Sequence, residues 1–230
     1  MAVRLAPLQG SLFDQRPTDS CVEARPQRRC GSTGTTEVSP DASATTDPGH
    51  PAQRQQLDEL TWVEHVPEWF PDGEALMAEL ARTMAWEQPE RSMYQQRVIQ
   101  PRLSATLPAG DPALPEQLRS AIDSLGERYD EAFASMGANL YRNGQDGVAW
   151  HGDRDGDRFV KTTIVIISLG ERRSLRMRPV AGGPSRSWEL GRGDVFAMGG
   201  AAQRDWQHGV PKRARAGPRM SLVLRTRGVR

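Results

Sequence analysis

Between Thr162 and Gly170 the chain reads TTIVIISLG, an uncharged run dominated by β-branched residues and closed by glycine. It is too short for the roughly 18 apolar residues of a membrane span, and its composition disfavours a helix. It predicts a fully buried strand, which must have cover on both of its faces. DVFAM at 194–198, SLRMRPV at 174–180 and RMSLVLRTR at 219–227 are further short strands between Gly and Pro turns. Two helices precede them. Asp72 stands where it can cap a segment through Leu76, Leu80 and Met84, and Pro115 opens one that places Leu118, Ile122, Leu125 and Tyr129 on one face. Two helices followed by about seven or eight strands predict an α+β domain: a double-stranded β-helix (jelly-roll) core with supporting N-terminal helices.

Of the 230 residues, 14–56 are rich in Ser, Thr, Pro, Gly, Asp and Arg. Such a stretch cannot bury enough apolar surface to offset its ordering entropy. The expected organisation is therefore a disordered tail over 1–56 and a single domain over 57–230. Cys21 and Cys30, the two cysteines, both lie in the tail, which excludes a disulfide framework or a Cys-based zinc site. The opening MAVRLAPLQG lacks the apolar core of a secretory signal. A monomeric cytoplasmic protein without a membrane segment is expected. Charge is unevenly spread: residues 1–150 hold 13 Arg and 22 acids, residues 151–230 hold 15 Arg, 2 Lys and 7 acids. A basic second half suits a polyanionic partner.

Four histidines are present, His50 in the tail and His65 among acids beside Trp62. His151 and Asp153 are two apart, so on extended chain they point to one side, and His208 joins them from a distant strand. Two imidazoles and a carboxylate take one face of an octahedron and leave three positions, which suits non-haem Fe(II) with a bidentate co-substrate. Zinc is the competing metal. Period two along the last strand puts Arg219, Ser221, Val223 and Arg225 on one face and Met220, Leu222 and Leu224 on the other. Arginines projecting from a core strand need anionic partners, and a bound dicarboxylate supplies one through a forked contact.

These residues sit in motifs that resemble a known family. NLYRNGQDGVAWHGD at 139–153 matches Asn-x-Tyr-x-x-Gly-x-Asp-x(4)-His-x-Asp, and ISLGERRSLRMRP, LGRGDVFAMGGAAQRDWQHGVPK and PRMSLVLR follow in order. The resemblance, over about 57–227, is to the AlkB-type Fe(II)- and 2-oxoglutarate-dependent dioxygenases that dealkylate nucleic acid. It implies His151, Asp153 and His208 as iron ligands, and Arg219 on the distal carboxylate of 2-oxoglutarate, helped by Asn139 and Tyr141. Arg225 braces that end, and Asp155 meets the amine of the substrate base. MAWEQPERSMYQQRVIQPRL at 84–103 resembles the nucleotide-contacting lid, with Trp86, Tyr94 and Arg102 as substrate contacts. The implied reaction decarboxylates 2-oxoglutarate to succinate, hydroxylates an N-alkyl carbon, and releases an aldehyde from alkylated DNA or RNA.

The lid departs from the family pattern. Thr106 and Leu107 stand where a base-stacking aromatic is expected, so an oxygenase acting on a protein or small molecule is the alternative, and a non-catalytic nucleic-acid or clamp adaptor of the same fold is another. The arginines of ERRSLRMRP and PKRARAGPR can contact phosphates, with Arg204, Lys212, Arg213 and Arg215 flanking His208. Ahead of the domain, QGSLF at 9–13 resembles the peptide by which replication proteins dock on the sliding clamp, with Gln9, Leu12 and Phe13 filling its pocket.

Overall fold

The computed structural model describes residues 52–93, 96–152 and 162–226. Asp153, Asp155, Tyr94 and the 9–13 peptide lie outside them. The described residues build thirteen strands and three helices: β1 (Gln53–Gln56), β2 (Thr61–Val66), α1 (Gly73–Thr83), β3 (Glu90–Met93), β4 (Gln96–Ile99), β5 (Leu103–Pro108), α2 (Glu116–Tyr129), β6 (Phe133–Tyr141), β7 (Val148–His151), β8 (Ile164–Gly170), β9 (Arg173–Pro179), β10 (Arg186–Leu190), β11 (Asp194–Gly200), α3 (Ala202–Asp205), β12 (Trp206–Val210) and β13 (Arg219–Thr226).

Seven strands form one sheet in the order β1-β2-β11-β8-β13-β6-β5, four form a second in the order β10-β9-β12-β7, and β3-β4 is a separate hairpin. The β-rich two-sheet architecture fits the expected jelly-roll core. Period two sorts each central strand between two cores. Val165, Ile167 and Leu169 of β8, with Met220, Leu222 and Leu224 of β13, pack with Leu76 and Leu80 of α1 and Leu118 and Leu125 of α2. Ile164 and Ile166 of β8 and Val223 of β13 instead meet Leu175, Met177 and Val210 of the smaller sheet. This explains why TTIVIISLG has no polar face: helices cover one side of it and the second sheet the other.

Both predicted helices form. Asp72 is at the cap position of α1, but its side chain makes no capping bond; its backbone oxygen accepts from Leu76 N at 3.2 Å. The domain begins earlier than the expected residue 57, because Gln53–Gln56 pair antiparallel with Trp62–His65. The stretch after Arg102, expected as part of a lid, is the edge strand β5: Thr106 pairs with Gly137 and Leu107 with Met136. Leu107 packs on the helix-side core, and Thr106 is exposed. Among the described residues no helix is long and apolar enough to cross a membrane.

Candidate active site

A cavity of about 660 Å³ opens between the two sheets, lined by Asn139, Tyr141, His151, His208, Arg219 and Arg225 among others, including Arg102 and Lys212. β7 and β12 are antiparallel neighbours, and their register sets His151 directly across from His208. The ring centres are 4.3 Å apart and the planes tilt by 50°. Two imidazoles bound about 2.1 Å from one divalent ion at neighbouring octahedral corners need roughly 4.5 Å between ring centres. His151 Nδ1 lies 2.9 Å from the Ala149 carbonyl. An Nδ1–H donated there leaves the Nε2 lone pair for a metal. Asp153, the third ligand expected from the sequence, is outside the described residues. Within them no three His, Cys, Asp or Glu side chains gather into a metal-sized group.

The opposite wall is β13. Arg219 is 1% exposed. Its Nη2 donates to Ser168 Oγ at 2.9 Å, while its Nε and Nη1 are buried with no hydrogen-bond partner. Desolvation pushes its pKa down from the usual guanidinium value, with Tyr141 and Asp194 acting against that shift. Two orphaned donors on a buried cation fit a carboxylate, which accepts such a fork and compensates the charge. Those residues therefore suit the distal end of 2-oxoglutarate, and the two imidazoles suit iron.

Asn139 on β6 pairs with Ser221 on β13. Its Oδ1 accepts from Arg102 Nε at 2.8 Å and from Ser104 Oγ at 3.0 Å. A guanidinium can only donate, so the oxygen end of the amide is identified and its NH₂ is the end still able to donate. Arg102, expected to touch substrate, thus orients a candidate co-substrate contact. Arg225 lies against Gly137, where a Cβ would come within 2.9 Å of its Nη1. Trp86 is not on the cavity wall: its indole donates to the Ala81 carbonyl at 3.2 Å, and the ring packs on the helix-side core.

Arg173 did not stand out in the sequence. It is fully buried and donates to the carbonyls of Asn143, Asp146 and Pro211 at 3.2, 3.0 and 2.7 Å. The guanidinium carbons of Arg173 and Arg219 lie 5.9 and 5.1 Å from the ring centre of Tyr141. Arg173 thereby ties the Asn143–Asp146 loop to Pro211 beside the cavity. The signal was its parity: it shares a face with Leu175 and Met177 on β9. His65 is a packing residue, with Nε2 at 3.4 Å from the buried carboxylate of Asp194.

A jelly roll whose cavity pairs two cross-strand imidazoles with a buried, anion-seeking guanidinium is the architecture of a 2-oxoglutarate oxygenase. Residues 54–229 match the family model of the 2OG-Fe(II) oxygenase superfamily, and the chain belongs to that superfamily. Within it the chain is of the AlkB type. It is 30% identical over 176 residues to the human (Homo sapiens) Alpha-ketoglutarate-dependent dioxygenase alkB homolog 3, covering 67% of this chain and 62% of that protein. It is 31% identical over 117 residues to the DNA oxidative demethylase ALKBH2 of Arabidopsis thaliana, covering 40% of this chain and 37% of that one. The chain thus spans less than two thirds of the length of these relatives. The solved structure of OsALKBH1 superposes with a TM-score of 0.51 at 16% identity, over 76% of this chain and all of the other, a likeness of fold.

Proposed function

We propose that this protein is an Fe(II)- and 2-oxoglutarate-dependent dioxygenase that removes N-alkyl groups from bases of DNA or RNA, releasing an aldehyde, succinate and CO₂. The observation that carries the reading is Arg219, whose two buried donors without partners share one cavity with the His151–His208 pair. Iron and 2-oxoglutarate, when bound, supply the oxidising power for hydroxylating the alkyl carbon. The protein's own residues do the rest. His151 and His208, with Asp153, hold the metal; Arg219 and Asn139 orient the co-substrate; the apolar walls Ile166, Leu175 and Val223 exclude water from its far end. A base in a duplex must leave the stack to reach such a cavity, which is easier where alkylation has already broken its pairing. The names of the relatives above, and the basic second half of the chain, support nucleic acid as the substrate class. The protein is taken to work in the cytoplasm as a monomer.

The test is aldehyde release, followed by mass spectrometry, from oligonucleotides carrying 1-methyladenine or 3-methylcytosine. Release should require Fe(II) and 2-oxoglutarate and vanish in Asp153→Ala. Robust 2-oxoglutarate turnover with every alkylated oligonucleotide ignored would overturn the substrate half, and the exposed Thr106 in place of a stacking aromatic would then point to a protein or small-molecule substrate. For the tail we propose that Gln9, Leu12 and Phe13 dock on a sliding clamp. Deleting residues 1–14 should abolish clamp binding and leave turnover on short oligonucleotides intact; unchanged clamp binding would discard the idea.

A further inference from the structure

The arginine run of β9 is divided by the sheet. Arg173, Leu175 and Met177 face inward, whereas Arg176 and Arg178 lie on the outer face of the four-stranded sheet. On that face Arg178 stacks over Trp150, its guanidinium carbon 4.5 Å from the ring centre. Two of its nitrogens, Nε and Nη2, donate to Gln207 Oε1 at 3.1 and 2.8 Å, which fixes the plane of the group. Arg176 is exposed and has no hydrogen-bond or ion-pair partner among the described residues. Trp150 immediately precedes His151, and Gln207 immediately precedes His208. The outer platform and the candidate metal ligands are therefore opposite faces of the same two strands.

We propose that this outer face, Trp150 with Arg176 and Arg178, binds the single-stranded nucleic acid that flanks the base held in the cavity. The inference rests on the nucleic-acid reading above and extends it to a second contact region. The chemistry favours this occupant for two reasons. An aromatic on an exposed sheet face, capped by a flat guanidinium, stacks on a base whatever its sequence. Two outward arginines, one of them without a side-chain partner among the described residues, complement a phosphate backbone. β7 forms both the edge of this sheet and part of the cavity wall. A strand leaving the cavity can thus turn over that edge onto the platform.

The experiment compares a lesion-bearing trinucleotide, too short to reach both places, with a fluorescein-labelled single strand of about 15 nucleotides carrying the same lesion. Binding is read by anisotropy over a salt series, and turnover on both substrates by mass spectrometry. Trp150→Ala and Arg176→Glu are each expected to weaken the long strand by about tenfold. Arg176→Glu should also make the salt dependence shallower by roughly one unit of slope. Trinucleotide turnover should stay at the wild-type level. Because Arg176 is exposed, its substitution keeps the test valid even if Trp150→Ala fails to fold. Unchanged long-strand affinity in Arg176→Glu, or wild-type protein binding the long strand no better than the trinucleotide, overturns the proposal while trinucleotide dealkylation stands. Wild-type protein that processes neither substrate removes the nucleic-acid reading and this inference with it.

Discussion

Arg219→Met is expected to separate stability from function. In the protein without co-substrate, Arg219 is a buried cation with two unsatisfied donors, each costing about 1–3 kcal/mol. Methionine keeps much of the side-chain volume and removes both penalties along with the charge. Against this stand the lost bond to Ser168 Oγ and a buried hydroxyl left to find another partner, together about 2–4 kcal/mol. The balance runs from about 2 kcal/mol of loss to about 4 kcal/mol of gain, so the variant should melt near the wild type, each kcal/mol moving the melting temperature of a domain of this size by roughly 2–4 °C. Adding 2-oxoglutarate with a redox-inert divalent metal should move the two proteins apart. At a hundred times its dissociation constant the co-substrate stabilises the wild type by about 2.7 kcal/mol. The variant has lost a forked, charge-assisted contact and should show almost none of that shift, and no turnover. The assay is thermal denaturation of both proteins with and without 2-oxoglutarate. A variant destabilised by well over about 2 kcal/mol without co-substrate, or one responding to 2-oxoglutarate as strongly as wild type, would refute the assignment of the guanidinium to a carboxylate.

Two further outcomes follow from the packing. Burial pushes the carboxyl of Asp194 up, but His65 and the N–H groups of Glu68 and Gly191 together bring it below its ordinary value; Glu64 is likewise lowered overall, by Arg128, Arg54 and Tyr129 acting against its burial. A carboxylate depressed in the folded state stabilises fully above its unfolded pKa and loses that contribution as pH falls through the folded one. Stability should therefore drop steeply below about pH 4, with a shallower slope in Glu64→Gln; a urea-denaturation series across pH that shows the same slope for both would count against it. Gly193 has φ of +91°, and a Cβ there would sit 1.9 Å from the Phe70 carbonyl oxygen. Gly193→Ala should cost about 3 kcal/mol or more by denaturant unfolding, since neither the conformation nor the backbone contact can yield cheaply; a loss under 1 kcal/mol would show that this turn relaxes.

Much of the second half was legible because its strands obey period two over long distances. The alternation in RMSLVLRTR alone put Arg219 and Arg225 on one face and three apolar residues on the other, and the fold turns the first to the cavity and the second to the helices. The first half was harder to read. TWVEHV carries a charged residue and a histidine in what proves to be an interior strand, since Glu64 is clasped by Arg54, Arg128 and Tyr129. Only distant residues make that glutamate acceptable there. β5 was not legible as a strand for a related reason: its polar residues Ser104 and Thr106 face one side of an edge strand, whose pairing shows only once β6 is beside it. Trp86 illustrates the limit for the site. An indole near a lid motif is equally suited to stacking on a base or to closing a core, and only its bond to the Ala81 carbonyl decides.

The two imidazoles of the site do not stand on equal footing. His208 belongs to β12, flanked by β9 on one side and β7 on the other, whereas His151 ends a four-residue strand at the margin of its sheet. One is a fixed post and the other a latch. When the outermost strand frays, as marginal strands do first, the grip on an ion opens from the His151 side while the post stays in place. Under the proposed metal assignment, loading and loss of the ion are expected to be local events at one rim of the barrel, with amide exchange along Val148–His151 as a gauge of how often the latch lifts.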